Sequence, residues 1–416
     1  MSKFIVNSSR TLRGTVKVSG SKNSVLPILS ACLLSGGTSV IKNVPDLSDV
    51  SIMCSILSYL GCKISRNDDV VTVDSSNASS IALPYELTGK IRASFIVAGS
   101  LLARFKFAEI ALPGGCTIGT RPVDLHLKGF SALGSEHHIK DGFVYITCSA
   151  LKGTKICLDF PSVGATQNIM LASVLASGTT VIENCASEPE VVDLADFLCK
   201  CGADISGAGT DKITITGVKA LKGCEYTIIP DRIEAGTFMV AAAATGGDIR
   251  LENVIPSHLT SVTSKLCEIG INCSEFADEI SVSCDGVRKA ATVKTMPFPG
   301  FPTDMQSQIA AMLCCIEGTS VITETIFENR FMYVPELIRM NADIKVDGRT
   351  AVIKGNRALV GAQVNATDLR ASAALIIAGM AAEGKTIINN ADYLKRGYEN
   401  LDSKLKSLGG DVWYED

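Results

Sequence analysis

A chain of 416 residues, 46% of them hydrophobic, exceeds what a single core ordinarily fills, so two domains are expected. Its 39 basic and 43 acidic residues are interspersed and sum to a net charge of -4. That leaves no basic stripe for nucleic acid and no polybasic or amphipathic segment for a membrane surface. The first residues carry Lys3, Arg10, Arg13 and Lys17 around a short alternating segment, without the apolar core and cleavage site of a signal peptide, so no export is expected. Phe95 to Ala103 and Ala371 to Ala382 are apolar but contain Ser and Gly and fall short of the roughly 18 to 20 residues that span a bilayer. Both are predicted as buried helices. The 15 cysteines are spread along a well-cored chain rather than packed into a small loop-rich one, so most are expected to be small buried residues in a reducing compartment, the cytoplasm. With no CxxC pair and no His grouping at ligand spacing, no metal is expected.

In chain order, one phrase recurs. A Gly-containing turn leads into a short β-branched strand, an Asn or Glu, a loop, and an amphipathic helix that ends near a second Gly. Copies begin at Gly36, Ser177, Gly246, Glu317 and Glu383, and a weaker one at Phe107 fills the gap. The spacing of about 70 residues is one supersecondary unit repeated six times, too long for the common solenoids. After each helix an alternating stretch, such as Val70 to Val73 or Ile213 to Thr216, is predicted as a strand. A second helix precedes the next turn: Arg92 to Arg104, Gly164 to Ala176, Glu234 to Ala244, Asp304 to Ile316 and Asp368 to Ala382. Three copies sharing a core give two pseudo-threefold α/β domains, residues 22–229 and residues 1–21 plus 230–416. The N-terminal strand is then left to pair with the sixth copy.

Chemistry is sought where the repeat is interrupted. In the second copy the connection lengthens to Leu112-Pro113-Gly114-Gly115-Cys116-Thr117-Ile118-Gly119-Thr120-Arg121-Pro122. Its glycines and flanking prolines suit a hinged loop, and Arg121 favours a thiolate at Cys116. Asp124 and His126 follow at the next helix start, where Asp also serves as a first-turn or cap residue. Ser19-Gly20-Ser21-Lys22-Asn23-Ser24 places a lysine at a helix mouth, suited to phosphate or carboxylate and equally to a solvated cap; it is not a Walker loop. Phe298-Pro299-Gly300-Phe301-Pro302-Thr303-Asp304 presents Thr303 or Asp304 at the head of an apolar helix, as N-cap or as catalytic group. Phe160-Pro161-Ser162-Val163-Gly164 opens a helix in the same way. Arg92, Arg121, Arg232, Arg330, Arg370 and Arg396 punctuate the connections, as solvated surface residues or as donors for bidentate recognition of anions.

At these residues the sequence resembles the UDP-N-acetylglucosamine 1-carboxyvinyltransferases, the MurA family of enolpyruvyl transferases. The motifs are GSKN, PGGCTIGTRPVDLH, SVGATQN, ENCASEPEVVDLA, PDRIEAGTF, PGFPTDMQ, ENRFMYVPEL and LKRGYENL. The resemblance implies an inside-out α/β barrel architecture of two threefold domains with the active site in the cleft between them. It implies transfer of the enolpyruvyl group of phosphoenolpyruvate to the 3-hydroxyl of UDP-N-acetylglucosamine, without metal or organic cofactor, as the first committed step toward peptidoglycan; the sequence leaves the oligomeric state open, with a monomer favoured.

Carried over by motif, Cys116 is the loop cysteine that protonates phosphoenolpyruvate, and Asp304 is the general base. Lys22, Arg121 and Arg396 are the cationic contacts to phosphoenolpyruvate, with Arg92 and Arg370 nearby. Asn23, Arg92, Arg121, Val123, Asp124, Leu125, Ser162, Val163, Gly164, Asp304 and Ile326 are the sugar-nucleotide contacts, and Glu188, Arg232 and Arg330 are supportive. Two positions depart: Phe160 stands where some members have a lysine near the nucleotide, and Phe298 where some have a histidine. The sister enzyme, 3-phosphoshikimate 1-carboxyvinyltransferase, lacks the Cys-bearing loop. A catalytically silent sugar-nucleotide sensor would have lost Cys116, Asp304 or Lys22.

Overall fold

The computed structural model describes residues 2–8, 11–79, 82–88, 92–112, 123–355 and 357–415. They fall into two compact units. One comprises residues up to Ser19 together with 230–415; the other comprises residues 20–112 and 123–229.

Each unit is built on three inner helices. In the unit spanning 20–229 these are α1 (Lys22–Ala31), α2 (Val97–Phe105) and α3 (Val163–Ser173). In the other they are α4 (Arg232–Thr245), α5 (Gln306–Leu313) and α6 (Leu369–Ala381). All six are apolar around most of their circumference, as befits helices that contact protein on every side. In α6 every residue from Arg370 to Met380 is buried, and no described helix is long and apolar enough to cross a membrane. Close approach shows at Gly99 of α2, where a Cβ would lie 2.4 Å from the carbonyl oxygen of Asn168 in α3. Three of the six begin on a side-chain cap: Ser162 for α3, Asp231 for α4 and Asp368 for α6.

The sheets pack on these helices, and none closes into a barrel. Five are four-stranded and share one order. A short parallel edge strand is followed by the strand after the Gly turn and then by two antiparallel strands. Lys155–Cys157, Thr179–Glu183, Lys212–Thr216 and Asp204–Ser206 form such a sheet, as do Thr292–Lys294, Thr319–Thr323, Thr350–Lys354 and Asp343–Asp347. The central strands alternate, so that Thr180 and Ile182 face the helices while Thr179 points to solvent. The sheet of the weaker copy, Phe107–Ala111 with Phe143–Thr147 and Glu136–Lys140, has three strands, and a lone parallel bridge from Ala82 to Glu109 stands where the edge strand would be. In the sixth sheet the place of the inner antiparallel strand, third in the order, is taken by Lys3–Asn7, between Lys385–Asn389 and Val412–Glu415. The architecture is therefore α/β and inside-out, with apolar helices within each unit and one sheet per copy around them.

A recurrent device ends the central strands. Asn43, Asn184 and Asn253 each adopt a positive φ, 58°, 52° and 57°, directly after the strand. Their amides donate to the carbonyls of Ile228, Leu158 and Val18 at 2.9, 2.7 and 2.7 Å. Asn tolerates the left-handed region and its side chain ties down the loop beside it. In the fifth copy the position is Glu324.

The cysteines are less buried than composition suggests. Of 14 described, five are buried, six half-buried and three exposed, and all are free thiols.

Candidate active site

In the unit containing 230–415, the turn Phe298 to Pro302 runs into a short 3-10 helix, Thr303–Met305, that feeds α5. Neither Thr303 nor Asp304 is its cap; Pro302 holds that position and contributes no side-chain bond. Both side chains are instead drawn into tertiary contacts. Asp304 accepts from Nη2 of Arg330 at 2.9 Å through one oxygen, and from Nη2 and Nε of Arg370 at 2.9 and 3.2 Å through the other. The arginine side chains are 3% and 5% exposed and the carboxylate 27%, so Asp304 is the open member of an otherwise buried triad. Burial works against charge on Arg370, yet the carboxylate overcomes it and holds the guanidinium more firmly protonated than an ordinary arginine. Its Nη1 has no hydrogen-bond partner among the described residues.

Glu324 is the residue that sequence reasoning missed. It is 1% exposed and accepts from Thr295 Oγ1 (2.9 Å), Thr303 Oγ1 (2.9 Å) and the backbone N–H groups of Ile326 (2.8 Å) and Phe327 (3.2 Å). One carboxylate thereby fixes both the Thr303-Asp304 turn and the backbone at Ile326. The signal was present as TET where other copies read an Asn after the strand. Arg330 lies over the ring of Phe327 at 5.4 Å, and Arg370 over Tyr398 at 5.4 Å. Arg396 closes the 3-10 helix Ala391–Arg396 and is half-buried. Arg232 lies over the ring of Phe298 at 5.7 Å, so the Phe that departs from the family pattern holds an arginine by its π-face.

In the unit spanning 20–229, Lys22 is the first residue of α1 and pairs with Asp49 at 2.7 Å. The lysine side chain is 12% exposed and that of Asp49 3%, so it is an anchored charge, not a solvated cap. Gly20 is required before it, because a Cβ would lie 1.8 Å from the carbonyl oxygen of Asn43. Asn23 is half-buried beside Lys22.

The second grouping in this unit is organised by Asn168 of α3. It accepts from the N–H of Gly99 at 2.8 Å, donates to the carbonyl of Phe95 at 2.9 Å, and lies 2.9 Å from Nδ1 of His126. It thus joins α2, the 3-10 helix Arg92–Ile96 and the helix Asp124–Ala132. Asp124 is an exposed first-turn residue there and Val123 is buried; Leu125 is half-buried. Ser162 caps α3 by accepting from Ala165 N–H at 3.4 Å, and Val163 and Gly164 at that mouth are half-buried, Gly164 against the His126 ring. Phe160 is 41% exposed. Glu188 directly precedes the helix Pro189–Lys200. Cys116 and Arg121 lie outside the described residues, as does the side chain of Arg92. Among the described residues no cluster of His, Cys, Asp or Glu could hold a metal ion.

The profile of the EPSP synthase (3-phosphoshikimate 1-carboxyvinyltransferase) family matches residues 6–405. UDP-N-acetylglucosamine 1-carboxyvinyltransferase 1 of Caldanaerobacter subterraneus subsp. tengcongensis is 54% identical over 413 residues, 99% of each chain. UDP-N-acetylglucosamine 1-carboxyvinyltransferase 2 of Carboxydothermus hydrogenoformans is 52% identical over 414 residues, again 99% of each. The chain belongs to the UDP-N-acetylglucosamine 1-carboxyvinyltransferase family. Among solved structures, the enolpyruvyl transferase NikO from Streptomyces tendae superposes with a TM-score of 0.90 at 25% identity, covering 99% of both chains. EPSP synthase from Acinetobacter baumannii shares the fold at a TM-score of 0.77 and 20% identity over the whole of both chains. Within this enolpyruvyl transferase fold the two carboxyvinyltransferases are told apart by sequence, and the near-full-length identity places the chain with the sugar-nucleotide enzymes.

Proposed function

We infer that this chain transfers the enolpyruvyl group of phosphoenolpyruvate to the 3-hydroxyl of UDP-N-acetylglucosamine and releases phosphate, supplying a peptidoglycan precursor in the cytoplasm. The observation that carries the reading is Asp304, an accessible carboxylate clamped by two buried guanidinium groups in a chain of this family. The two guanidinium groups hold it in one orientation, and it takes the sugar hydroxyl proton as the new C–O bond forms.

The assigned roles follow the chemistry of addition and elimination. Cys116 protonates the methylene carbon of phosphoenolpyruvate, leaving an oxocarbenium-like centre that the 3-oxygen attacks while Asp304 accepts its proton. Reversal of the proton flow then expels phosphate. Lys22, Arg121 and Arg396, with Arg92 and Arg370, balance the charge of phosphoenolpyruvate, and the bond-free Nη1 of Arg370 is a donor suited to that task. Asn23, Val123, Asp124, Leu125, Ser162, Val163, Gly164 and Ile326, with Arg92, Arg121 and Asp304, receive the sugar nucleotide. The backbone N–H of Ile326 is committed to Glu324, which sets the orientation of that peptide. No organic cofactor enters this chemistry.

The test is phosphate release from phosphoenolpyruvate, with and without UDP-N-acetylglucosamine, for the wild type, C116S and D304N, with fosfomycin as thiol-directed probe. Release that requires the sugar nucleotide, collapses in both variants and is lost irreversibly to fosfomycin supports the reading. Turnover with shikimate 3-phosphate instead reassigns the substrate, and release with neither acceptor leaves a silent sugar-nucleotide sensor.

A further inference from the structure

The unit containing Asp304 buries a second carboxylate that the reaction does not use. Glu234, in the first turn of α4, is 2% exposed. It forms a close ion pair with Lys404 and accepts from the backbone N–H of Ser19 at 3.3 Å. Lys404 also donates to Ser19 Oγ at 2.6 Å, and the Ser19 hydroxyl donates to Glu399 at 2.5 Å. Four side chains from three separate stretches of sequence thus form one polar chain. Taking such groups out of water is a poor way to gain stability, which directs attention to what they hold in place.

They hold the segment Arg396 to Glu399. At its end, Glu399 is tied through Ser19 to Lys404 and Glu234. One residue earlier, the hydroxyl of Tyr398 lies 2.9 Å from Thr237 Oγ1 of α4 and accepts from Gln308 Nε2 at 3.3 Å; the same nitrogen donates to the Asp304 carbonyl at 2.8 Å. The segment is therefore anchored on one side to the Asp304 turn and on the other to the Glu234 network, with Arg396 at its start.

We propose that Glu234, Lys404 and Ser19 are positioning residues for phosphoenolpyruvate, holding the Arg396 segment so that its guanidinium meets the anion without reordering. This rests on the assignment of Arg396 to that substrate. A charged side chain that must be ordered on binding costs affinity, and a pre-fixed segment avoids that cost. The groups facing Glu234 are Lys404, Asp231 and the Ser19 N–H, with Glu399 one hydroxyl further. Burial pushes the Glu234 carboxyl up to about 7 against the pull of Lys404. Ionised, Glu234 holds Lys404 and Ser19; protonated, it releases Lys404 toward Glu399 and the lock slackens. The KM for phosphoenolpyruvate accordingly falls from pH 6 to pH 8 by more than the substrate's own phosphate ionisation, near pH 6, accounts for.

The experiment measures kcat and both KM values from pH 6 to 8 for the intact wild type, E234Q, S19A and R396K. E234Q and S19A are expected to raise the KM for phosphoenolpyruvate about five- to tenfold at pH 8, with kcat within about twofold and the KM for UDP-N-acetylglucosamine unchanged. The ratio of E234Q to wild-type KM approaches one at pH 6, a comparison in which substrate ionisation cancels. Variants that lose thermal stability but keep the wild-type KM, or a ratio independent of pH, overturn the proposal. If R396K raises the KM and neither E234Q nor S19A does, positioning alone fails. If R396K also leaves it unchanged, the assignment of Arg396 fails and the proposal falls with it.

Discussion

Asp304 and Glu234 are carboxylates of one unit, each at the start of an inner helix, and they are treated in opposite ways. Asp304 faces two arginines and remains 27% exposed; Glu234 faces one lysine and is 2% exposed. Two guanidinium groups clamp both oxygens of the first, which holds it in place and leaves it accessible. A single ammonium does not cover the desolvation of the second, so its carboxyl rises to about 7 and its charge becomes conditional. The difference teaches that two cations at an open edge place a carboxylate for use, whereas a single cation set against full burial leaves a carboxylate whose charge is conditional.

The contrast breaks most visibly at Asp304. D304N is expected to lower kcat by about 10² to 10⁴, the range of a positioned general base, in the phosphate-release assay. A loss under tenfold would remove Asp304 from proton transfer. Next, R370L leaves Asp304 with one cation and is expected to cost about 3 kcal/mol in urea unfolding, because a buried pair loses one partner. An unchanged midpoint would show that Arg330 alone suffices.

E324N substitutes the residue that four other copies, at Asn43, Asn184, Asn253 and Asn390, use after the strand. It is expected to cost about 2 kcal/mol and to lower kcat at least tenfold, since the shorter side chain cannot serve Thr303 and the Ile326 amide together. Wild-type kcat in E324N would mean that the Asp304 turn holds its shape unaided. The smallest effect is a slope. Because the folded-state pKa of Glu234 lies above its ordinary 4.5, its contribution to stability is full below about pH 4.5 and is lost as the pH rises through about 7. E234Q should flatten the fall of Tm between pH 5 and 8, and a parallel fall in both proteins would place the slope elsewhere.

The architecture was legible because it is periodic. Six turns, six strands and two helices per copy recur, and period carries structure when each copy must bury the same faces. Within the site, the Thr303-Asp304 turn behind its prolines and Lys22 behind Gly20 stood out as departures from the repeat, with the cap reading open beside the chemical one. What could not be read were the partners. Nothing local to Arg330 or Arg370 says that they share Asp304, and Thr303 and Asp304 looked like caps because a cap and a tertiary ligand use the same residue types. Glu324 was invisible for a related reason: one Glu in place of Asn changes the repeat by a single residue, and only the fold shows four donors converging on it. Asn168 and Asp49 likewise act through neighbours distant in sequence.

The sheet that joins Lys3–Asn7 to Val412–Glu415 also sets a timetable for synthesis. Asn7 bonds to Asp411, 404 residues later. At ribosomal rates of about 5 to 20 residues per second, that partner arrives roughly 20 to 80 seconds after Asn7 itself. Over that interval an apolar strand with two unpaired edges waits while the unit spanning 20–229, whose strands pair among themselves, is free to fold. A chaperone that shields Lys3–Asn7 until its partner strands are made would therefore protect the unit that is completed last.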